Sequence, residues 1–399
     1  MTKVTVIIGA NYGDEGKGLT TDFIAHNEIE QGRQAIVVCS NGGAQRGHTV
    51  ELSDGRRHVF HHFGSGTLAG AETYLPKQFI MNPLIFVKEF DDLQKTFDIS
   101  PICTAHPECL VSTPFDMILN QIVEENRGNN KHGSCGVGIW ETIVRNGARF
   151  DELCNMSNND IVIYLRTVRD QFFNKRLNYY GIDSSSSVYT KWKDIIYDEN
   201  LINNFIVDFR YMASNIKATS TESYLRSYNS IIFENGQGLL LDQKFGEHST
   251  PSNTGLKNSM EIINDSGIKK ADILLNVLYI TRPYLTRHGA DPNFKEDRDL
   301  SVRNLHEDKT NVHNVHQGNI KYGLLDKKSL QDRIHEDIKN FMHGFVLNGR
   351  YDLVVTHVDQ AIDSFDPVKF LENGSLGKYR LGIQYLSYGP TREDVISYF

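Results

Sequence analysis

A short loop at residues 13–18 (GDEGKG) combines three glycines, a lysine and two acidic residues. It follows an apolar run at residues 4–8 and precedes an apolar stretch of helical length at 19–25. Glycines let backbone N–H groups approach a phosphate, and the N-terminus of a following helix favours anions. Lys17 adds a positive charge. The loop therefore predicts a binding site for a nucleotide phosphate.

Two features separate this loop from a Walker A motif. That motif requires Ser or Thr after the lysine, where this chain has Gly18, and it lacks acids such as Asp14 and Glu15. A carboxylate beside a phosphate is repulsive unless it binds a metal ion or moves a proton. Asp14 is therefore a candidate for one of those tasks. The alternative is a glycine-rich turn between a strand and a helix, carrying a solvated pair of acids.

A second candidate for proton transfer, His48, ends a glycine-rich loop at residues 39–48. A histidine there could donate a proton to an oxyanion that develops during a reaction. The chain has 15 histidines, and a single histidine is more often structural. His48 alone would therefore be weak evidence for catalysis.

Six apolar runs, rich in aliphatic and β-branched residues, supply strands that could position these loops. They lie at residues 4–8, 35–38, 231–233, 273–280, 353–356 and 381–386. Short uninterrupted apolar runs are typical of strands buried on both faces of a parallel sheet. Stretches of helical length lie between them, as at 83–97 and 330–348. The sequence therefore predicts an α/β fold in which helices flank a large, mostly parallel sheet.

Five of these strands lead directly into glycine-rich or polar loops. The loops begin at residues 9, 39, 234, 357 and 387. Ligands of open α/β sheets bind at the carboxyl ends of the strands. One such loop carries little information, but five at one edge predict a large composite nucleotide site.

Composition excludes several other classes of function. The chain has 399 residues and a formal net charge of -8, which disfavours nucleic acid and anionic membranes as partners. No apolar run reaches the length of a membrane span. The five cysteines form no CxxC pair, and no signal peptide is recognisable. We therefore expect a protein of the reducing cytoplasm.

Taken in order, the motifs resemble those of the adenylosuccinate synthetase family. That family carries a W/Y-G-D-E-G-K-G loop and a G-G-x-N-A-G-H-T loop, and this chain has YGDEGKG at 12–18 and GGAQRGHT at 42–49. Further stretches resemble family motifs in the same order, at 60–66, 133–138, 233–242, 250–254, 286–290, 356–359 and 389–392. The resemblance implies an adenylosuccinate-synthetase-like fold related to P-loop NTPases. It implies a single domain over residues 1–399, with helical insertions at about 83–130 and 155–228.

The resemblance also implies a ligase that works in two steps. GTP, as co-substrate, would phosphorylate O6 of a 6-oxopurine nucleotide such as IMP. The amino group of aspartate would then displace phosphate from C6, giving an adenylosuccinate-type product. Asp14 would remove the N1 proton, and His48 would donate to O6 or to the leaving phosphate. Lys17 would stabilise the transferring phosphoryl group, and Gln237 would assist at the purine edge.

Binding residues follow from the same resemblance. Those for GTP are Gly13, Glu15, Gly16, Lys17, Gly18, Thr49, His357, Asp359, Gly389 and Pro390. Those for the purine nucleotide are Asp14, Gln45, Ser134, Cys135, Arg145, Asn235, Gln237 and Thr250. Those for the amino acid are Gly318, Asn319 and Lys321. Asp14 and the carbonyl of Gly47 would hold Mg²⁺, and Arg145 would come from a second subunit, which implies a homodimer.

The amino-acid loop departs from the family motif. The family has T-T-G-R-R-R-R-T-G-W-L-D, whereas residues 316–326 here contain no arginine, and Lys321 is their one cation. Arginine binds a carboxylate through two parallel hydrogen bonds, which lysine cannot copy. Arg298 or Arg303 could supply the missing clamp. We expect aspartate as the donor, and a different amine remains an alternative.

The purine loop departs as well. Gln45 and Arg46 stand where the family has Asn-Ala, which predicts a bulky cation beside the nucleotide. Cys135 replaces a hydroxyl residue, and His357 replaces a lysine. A viral branch of the family uses dGMP and commonly lacks the acid equivalent to Asp14. Retention of this acid favours IMP-like chemistry, although residues 385–391 (YLSYGPT) are similar to that branch.

Three functions therefore stay open. The favoured one is the GTP-dependent ligase acting on IMP and aspartate. The second is the same chemistry with dGMP or another purine nucleotide, with a different amine donor, or with both. The third is a non-catalytic GTP-binding regulator.

Overall fold

The structure is a computed structural model. It describes residues 1–128, 131–248, 252–289, 291, 293–297, 299, 320–342, 349–361, 366–371 and 381–398. No helix within these residues is both long enough and apolar enough to cross a membrane.

A ten-stranded sheet organises the described part of the chain. Its order is β16-β15-β14-β11-β1-β10-β2-β5-β7-β9, and every pairing is parallel except that of β15 with β16. Three two-stranded ribbons, β3–β4, β6–β8 and β12–β13, lie outside it. The strands are β1 Thr2–Gly9, β2 Ala35–Cys39, β3 His48–Glu51, β4 Arg57–Phe60, β5 Glu72–Leu75, β6 Ile80–Met81, β7 Cys103–Ala105, β8 Leu110–Val111, β9 Ile216–Ala218, β10 Ser230–Gly238, β11 Ile273–Thr281, β12 Tyr284–Arg287, β13 Lys321–Leu324, β14 Gly349–Val355, β15 Gly382–Ser387 and β16 Val395–Ser397.

Helices cover the sheet and extend beyond it. Within the described residues they are α1 Lys17–Glu30, α2 Pro83–Phe97, α3 Pro114–Asn126, α4 Ile139–Arg145, α5 Phe150–Asn155, α6 Asn158–Thr167, α7 Asn174–Tyr179, α8 Ser187–Ile196, α9 Glu199–Asn215, α10 Thr221–Tyr224, α11 Leu256–Asp265, α12 Lys327–Met342 and α13 Pro367–Leu371. A π-helical segment, Val168–Phe173, lies between α6 and α7.

The central strand β1 shows why its sequence is apolar without alternation. Val4, Val6 and Ile8 pack into the core formed with α11 and α12, whereas Ile7 packs on the opposite side against Ile24 of α1. Both faces of the strand are therefore covered, as expected for a parallel sheet flanked by helices.

Local signals set where the helices begin. Asn82 accepts the N–H of Ile85 at 3.2 Å and starts α2, which has proline at its first position. Thr113 and Asp116 form a reciprocal capping box at the start of α3. These caps satisfy backbone donors that a helix leaves unpaired.

The sequence predicts the centre of the sheet better than its edge. All six apolar runs are strands, and the predicted helix at 83–97 has those bounds. The predicted helix at 330–348 begins earlier, at Lys327, and residues 343–348 lie outside the described part. The short strands β5, β7 and β9 were not predicted, because three or four residues carry little periodicity. Helices occupy much of 83–130 and 155–228, and the single domain with two insertions stays a prediction.

A substitution at Gly138 tests how tightly the loop before α4 packs against α3. Its φ is +78°, and a Cβ there would lie 2.5 Å from the carbonyl carbon of Asp116 in α3. We expect Gly138→Ala to lower the free energy of unfolding by about 2–3 kcal/mol, through left-handed strain and displacement of α3. Urea denaturation measures this loss.

Gly32→Ala is the matched control for this prediction. Its φ is +75°, and nothing lies within 4 Å of the added Cβ. Gly32→Ala should therefore lower the free energy of unfolding only by the cost of the left-handed backbone conformation, about 1–2 kcal/mol. Equal losses in the two variants would show that contact with α3 is unimportant.

Candidate active site

The loop after β1 is held in shape by its own charged side chains. The Oε1 atom of Glu15 accepts the N–H groups of Asn11 and Gly13 at 3.1 and 2.8 Å. Lys17 Nζ donates to the carbonyl of Gly13 and lies 3.8 Å from Glu15 Oε2. Burial raises the pKa of Glu15 and lowers that of Lys17. Glu15 is thus a buried structural acid, so the alternative of a solvated acid pair is wrong for it.

Asp14 differs from its neighbour because it reaches the surface of the site. Its side chain is 32% exposed, and His288 Nε2 lies 3.5 Å from Asp14 Oδ2. Arg282 Nε donates to the backbone carbonyl of Asp14 at 2.5 Å, which fixes the residue without using its carboxylate. Asp14 is therefore the acid of this loop that can contact a ligand.

Close packing explains why glycine follows the lysine. A Cβ at Gly18 would lie 2.5 Å from the carbonyl oxygen of Thr49 and 3.0 Å from its nitrogen. The hydroxyl residue of a Walker A motif would therefore collide with β3. The contact brings the loop of Lys17 against the strand that begins with His48.

His48 belongs to a buried charged cluster centred on Glu234 of β10. His48 Nδ1 lies 2.9 Å from Glu234 Oε1, Arg46 donates to Glu234 Oε2, and the N–H and hydroxyl of Ser65 donate to the same carboxylate. Although burial opposes ionisation, Arg46 and His48 lower the pKa of Glu234. Burial lowers the pKa of His48 to about 4, and the nearby Arg46 adds to this decrease against the effect of Glu234.

The prediction that Arg46 lies beside the nucleotide is wrong. Its side chain is fully buried and forms an ion pair with Glu234. A cation that neutralises a buried carboxylate cannot also extend into an open pocket. Arg46 can therefore influence the site only through Glu234 and His48.

Gln237 and Gln45 place two carboxamides side by side at the end of β10. Gln237 Oε1 accepts from Asn41 Nδ2 at 3.3 Å and from Ser252 Oγ at 3.1 Å. A Cβ at Gly42 would lie 2.9 Å from Gln45 Nε2 and 3.4 Å from Gln237 Nε2. Neither polar atom of the Gln45 amide has a hydrogen-bond partner among the described residues. These amides offer both donors and acceptors to the edge of a base.

Asn235 is placed differently from the other residues predicted to bind the purine. It is fully buried, donates to Ser259 Oγ at 3.0 Å and accepts the N–H of Gly255 at 3.2 Å. Both ends of its amide are used inside the protein. Its predicted role in binding would therefore require these bonds to break.

The loop at residues 133–138 is fastened to one face of α3. Asn120 bonds Ser134 Oγ at 3.0 Å, Gln121 donates to the carbonyl of Gly136 at 3.1 Å, and Glu124 accepts the N–H of Gly133 at 3.0 Å. Burial raises the pKa of the Cys135 thiol to about 11, so this side chain is a neutral group. The loop is thus rigidly supported where a nucleotide phosphate is predicted.

Arg145 makes its contacts within its own chain. Its Nε and Nη2 atoms donate to Asp116, its Nη2 donates to the carbonyl of Val111 at 2.8 Å, and its Nη1 donates to Tyr164. A guanidinium bonded in this way would have to leave Asp116 to reach a nucleotide on another subunit. Its role across a dimer stays a prediction.

The residues predicted to bind guanine follow two adjacent strands, β14 and β15. Thr356 Oγ1 donates to the carbonyl of Glu15 at 2.7 Å, which ties the end of β14 to the loop after β1. The exposed Asp359 and the Gly389-Pro390 turn lie beyond these strand ends. Burial, together with the positive charge of the nearby Arg282, holds the pKa of His357 well below its usual range. His357 is therefore neutral, whereas the family motif has a lysine at this position.

Most of the predicted amino-acid loop lies outside the described residues. Thr250, Gly318 and Asn319 lie outside the described residues, as do Arg298 and Arg303. Lys321 begins β13 and is half-buried, with its Nζ atom 3.5 Å from the carbonyl of Gly289. Lys321 thus lies on the β12–β13 ribbon.

The described residues by themselves offer few metal ligands. Within the described residues, no three His, Cys, Asp or Glu side chains are grouped as a metal site would require. The Asp14 carboxylate and the carbonyl of the exposed residue Gly47 provide one charged and one neutral oxygen. Such a pair suits Mg²⁺, which usually takes one or two carboxylates together with substrate phosphates and water.

Sequence reasoning missed the residues that support this site. For Glu234 the sequence offered one indication, because a charged residue directly follows the apolar strand at 231–233. Asn41, which accepts the N–H of Gly236 at 2.7 Å, had only its position after β2. For Arg282 and Arg333 the sequence offered no indication, because the backbone carbonyls to which they donate lie far away in sequence.

Comparison with known proteins supports the family resemblance. The family model described as adenylosuccinate synthetase matches residues 6–371. Adenylosuccinate synthetases of Lactobacillus acidophilus and Prochlorococcus marinus are 28% and 29% identical to this chain over 301 residues. The alignments cover 73% and 72% of this chain but only 64% and 62% of the relatives, so the chain spans less than two thirds of their length.

Two solved structures share the fold. A fully ligated adenylosuccinate synthetase from Plasmodium falciparum has a TM-score of 0.69 at 17% identity, covering 99% of this chain and 100% of its own. Succinoaminodeoxyadenylate synthetase of cyanophage S-2L, bound to dGMP and dATP, has a TM-score of 0.60 at 14% identity, covering 100% of this chain and 95% of its own. Since the family model matches most of the chain, including the loops of Asp14, His48 and Gln237, this protein belongs to the adenylosuccinate synthetase family.

Proposed function

We propose that this protein is a GTP-dependent ligase that phosphorylates O6 of an IMP-like nucleotide and joins aspartate at C6. The observation that carries the proposal is the meeting of three loops at one sheet edge. The loop of Asp14 and Lys17 packs against Thr49 beside His48, and a Cβ at Gly13 would lie 3.2 Å from Gln237 Cα. The residues proposed for chemistry therefore share one site, although they come from β1, β3 and β10.

The first step joins the purine oxygen to the γ-phosphorus of GTP. Asp14 removes the N1 proton, which places negative charge on O6. O6 attacks the γ-phosphorus, the bond from phosphorus to the β–γ bridging oxygen breaks, and GDP leaves. Lys17 and the N–H groups of the loop stabilise the charge on the transferring group.

The second step forms the carbon–nitrogen bond. The amino group of aspartate attacks C6, the bond between C6 and the phosphorylated oxygen breaks, and inorganic phosphate leaves. The amine loses a proton as it becomes bonded to the ring. Gln237 and Gln45 orient the base through their adjacent amides.

Asp14 and the carbonyl of Gly47 are the groups that would hold Mg²⁺. Bound there, the ion would neutralise part of the charge on the phosphates of GTP. The carboxylate of Asp14 would still face the purine, because its backbone is held separately by Arg282.

The state of His48 sets a condition on its role. With a pKa of about 4 and a hydrogen bond to Glu234, it is neutral at pH 7 before substrates bind. Phosphate charges raise the proton affinity of a nearby imidazole. His48 therefore becomes a proton donor only when the anionic nucleotides are in place, and Glu234 stabilises the imidazolium that forms.

Two further features complete the proposal. A homodimer is proposed from the family, with the nucleotide of one subunit contacted by Arg145 of the other.

All five cysteines are free thiols, which fits a reducing compartment such as the cytoplasm. The presence of Asp14, Lys17, His48 and Gln237 in the motifs that resemble the family's argues against a purely regulatory GTP-binding protein.

The alternative nucleotides have one specific support. The cyanophage enzyme of similar fold binds dGMP and dATP.

A test would incubate the purified protein with Mg²⁺, each pair of IMP or dGMP with GTP or dATP, and aspartate or another amino acid. Mass spectrometry should find an adenylosuccinate-type product with IMP, GTP and aspartate. A product from dGMP alone would replace the proposed substrate, and phosphate release without any amine would contradict a ligase.

Asp14→Asn should abolish turnover and leave the fold intact. The change is isosteric and the side chain is partly exposed, so the unfolding midpoint should hardly move. Loss of the proton acceptor should lower kcat by about 10²–10⁴. Steady-state kinetics with all three substrates measures the effect, and near-normal kcat would remove Asp14 from the mechanism.

His48 should make stability depend on pH between about 6.5 and 4. The unfolded chain takes up a proton at the ordinary imidazole pKa of 6.5, whereas the folded protein does so only near 4. Unfolding therefore takes up a proton in this window, and stability falls as the pH is lowered through it. Relative to His48→Gln, the wild type should lose on the order of 2–3 kcal/mol between pH 7 and pH 4.

The measurement for His48 is chemical denaturation of both proteins across that pH range. Comparison with the variant removes the contribution of other titrating groups, such as Asp22 and Asp337, because both proteins share them. Above pH 6.5 the difference between the two proteins should become constant. Parallel curves over the whole range would show that His48 is not kept neutral by burial.

Asp359→Asn should weaken GTP and reduce its advantage over ATP. A carboxylate can accept from both N1 and N2 of guanine, whereas an amide presents only one acceptor. We expect kcat/KM for GTP to fall roughly 10–100-fold, with ATP changed much less. Asp194→Asn, an exposed acid in α8, is the matched control. An unchanged preference in a competition assay would identify Asp359 as an ordinary polar residue after the strand.

A further inference from the structure

Asp14 is contacted at two points by one segment of the chain. Arg282 Nε donates to its backbone carbonyl, and His288 Nε2 lies 3.5 Å from Asp14 Oδ2. Arg282 directly follows β11, and His288 directly follows β12. The segment 282–288 therefore contacts both the main chain and the carboxylate of the acid proposed to act on the purine.

The segment is itself anchored at both ends. Thr281, the residue before it, pairs with Val355 of β14 in the sheet, and β12 pairs with β13 over four residue pairs. Gly289, the residue after His288, has a φ of +77°, and a Cβ there would lie 3.2 Å from the carbonyl oxygen of His132. The backbone of His288 is therefore held on both sides, which limits where its side chain can lie.

Other side chains make the hydrogen bonds that shape the loop of Asp14. Glu15 accepts two of its N–H groups, and Lys17 donates to one of its carbonyls. The carboxylate of Asp14 is not used in these bonds. An aspartate side chain that is 32% exposed can occupy several staggered rotamers unless a neighbour selects one. His288, which is only 17% exposed, is such a neighbour.

Proton transfer makes the orientation of this carboxylate important. A general base must lie within hydrogen-bond reach of the proton that it removes, and misplacement by about 1 Å can cost about 10²-fold in rate. The contact with His288 uses Oδ2 of Asp14, which leaves Oδ1 to face N1 of the purine. The distance of 3.5 Å is longer than an ordinary hydrogen bond, and contacts of this kind often tighten when substrates bind.

We propose that His288 is a positioning residue that orients the Asp14 carboxylate for removal of the N1 proton. An imidazole donates through Nε2 both as the neutral tautomer that carries its proton there and as the protonated ring, so the contact requires no change of charge. His288 touches no reacting atom in this scheme and acts only through Asp14. The assignment rests on the proposed ligase function and adds a residue to it.

Three substitutions of His288 test the contact by steady-state kinetics with IMP, GTP and aspartate. His288→Val introduces the residue of the family motif T-R-V-G-A, which this chain replaces at 286–290, and removes the donor. His288→Asn keeps an amide that is too short to reach Asp14, whereas His288→Gln places an amide N–H near the position of Nε2.

His288→Val and His288→Asn should lower kcat roughly 5–30-fold, because a charged hydrogen bond that orients the base is lost. The KM values of the substrates should change less than about twofold, since His288 binds none of them. His288→Gln should recover most of the lost kcat. A residue needed only for folding would not show this recovery together with unchanged KM values.

A double-mutant cycle shows whether His288 acts through Asp14. In the Asp14→Asn background, His288→Val should change kcat less than about twofold, because the carboxylate that His288 orients is gone. An equal loss in both backgrounds would show that His288 acts elsewhere. His26→Val is the matched control, since His26 is a partly exposed histidine on α1, and it should leave kcat unchanged.

Crystal structures give a second measurement that does not depend on turnover. The wild type should show the Asp14 carboxylate in one orientation with Oδ2 towards His288, and His288→Val should show it turned away or spread over several orientations. The same single orientation in both proteins would overturn the proposal. If His288→Val does not fold, the comparison of His288→Asn with His288→Gln serves the same purpose.

The outcomes separate the positioning role from the function on which it rests. A wild type that forms no carbon–nitrogen product would overturn the ligase function and a role for His288 in it, and the crystal structures would still decide whether His288 holds the carboxylate. A wild type that forms product, with normal kcat in His288→Val, would overturn the positioning role alone. Equal rises in every KM, with lower stability in urea, would identify His288 as a structural residue of the β12–β13 ribbon.

Discussion

The site depends on one buried carboxylate. Glu234, at the centre of the sheet, is fully enclosed and is approached by Arg46, His48 and Ser65. An ionised acid in the interior is costly unless it is paired and hydrogen-bonded. These partners meet that requirement, and by doing so they join β10, β3 and the segment after β4. The contact with Glu234 therefore helps to fix the position of His48.

Glycine and internal hydrogen bonds give the loop after β1 its shape. Glu15 bonds two N–H groups of its own loop, and Gly18 permits contact with Thr49. The loop is consequently shaped before any ligand binds. Because Glu15 takes the structural task, Asp14 is left at the surface of the site, where its carboxylate can act on a substrate.

The substitutions that look most disruptive in the sequence have different consequences in the fold. Arg46 enters the interior and influences the site through His48. Arg46 shows that a cation next to a site residue in the sequence can be buried in the fold and act on the site through the groups that it pairs with.

The sequence by itself determined the class of fold, the central strands and the loop of Asp14 and Lys17. Apolar runs and glycine spacing are local properties, so they can be read without knowing what packs against them. The sequence could not give the edge strands β5, β7 and β9, which are too short to show periodicity.

Only the tertiary structure decided which charged residues are structural and which face the site. Neighbours in sequence, such as Asp14 and Glu15, have opposite environments, and Arg46 finds its partner 188 residues away. The pairing of Arg287 with Lys321 likewise depends on the register of two strands that are distant in sequence. Burial and charge pairing are set by contacts between remote segments, and for this reason local sequence patterns do not contain them.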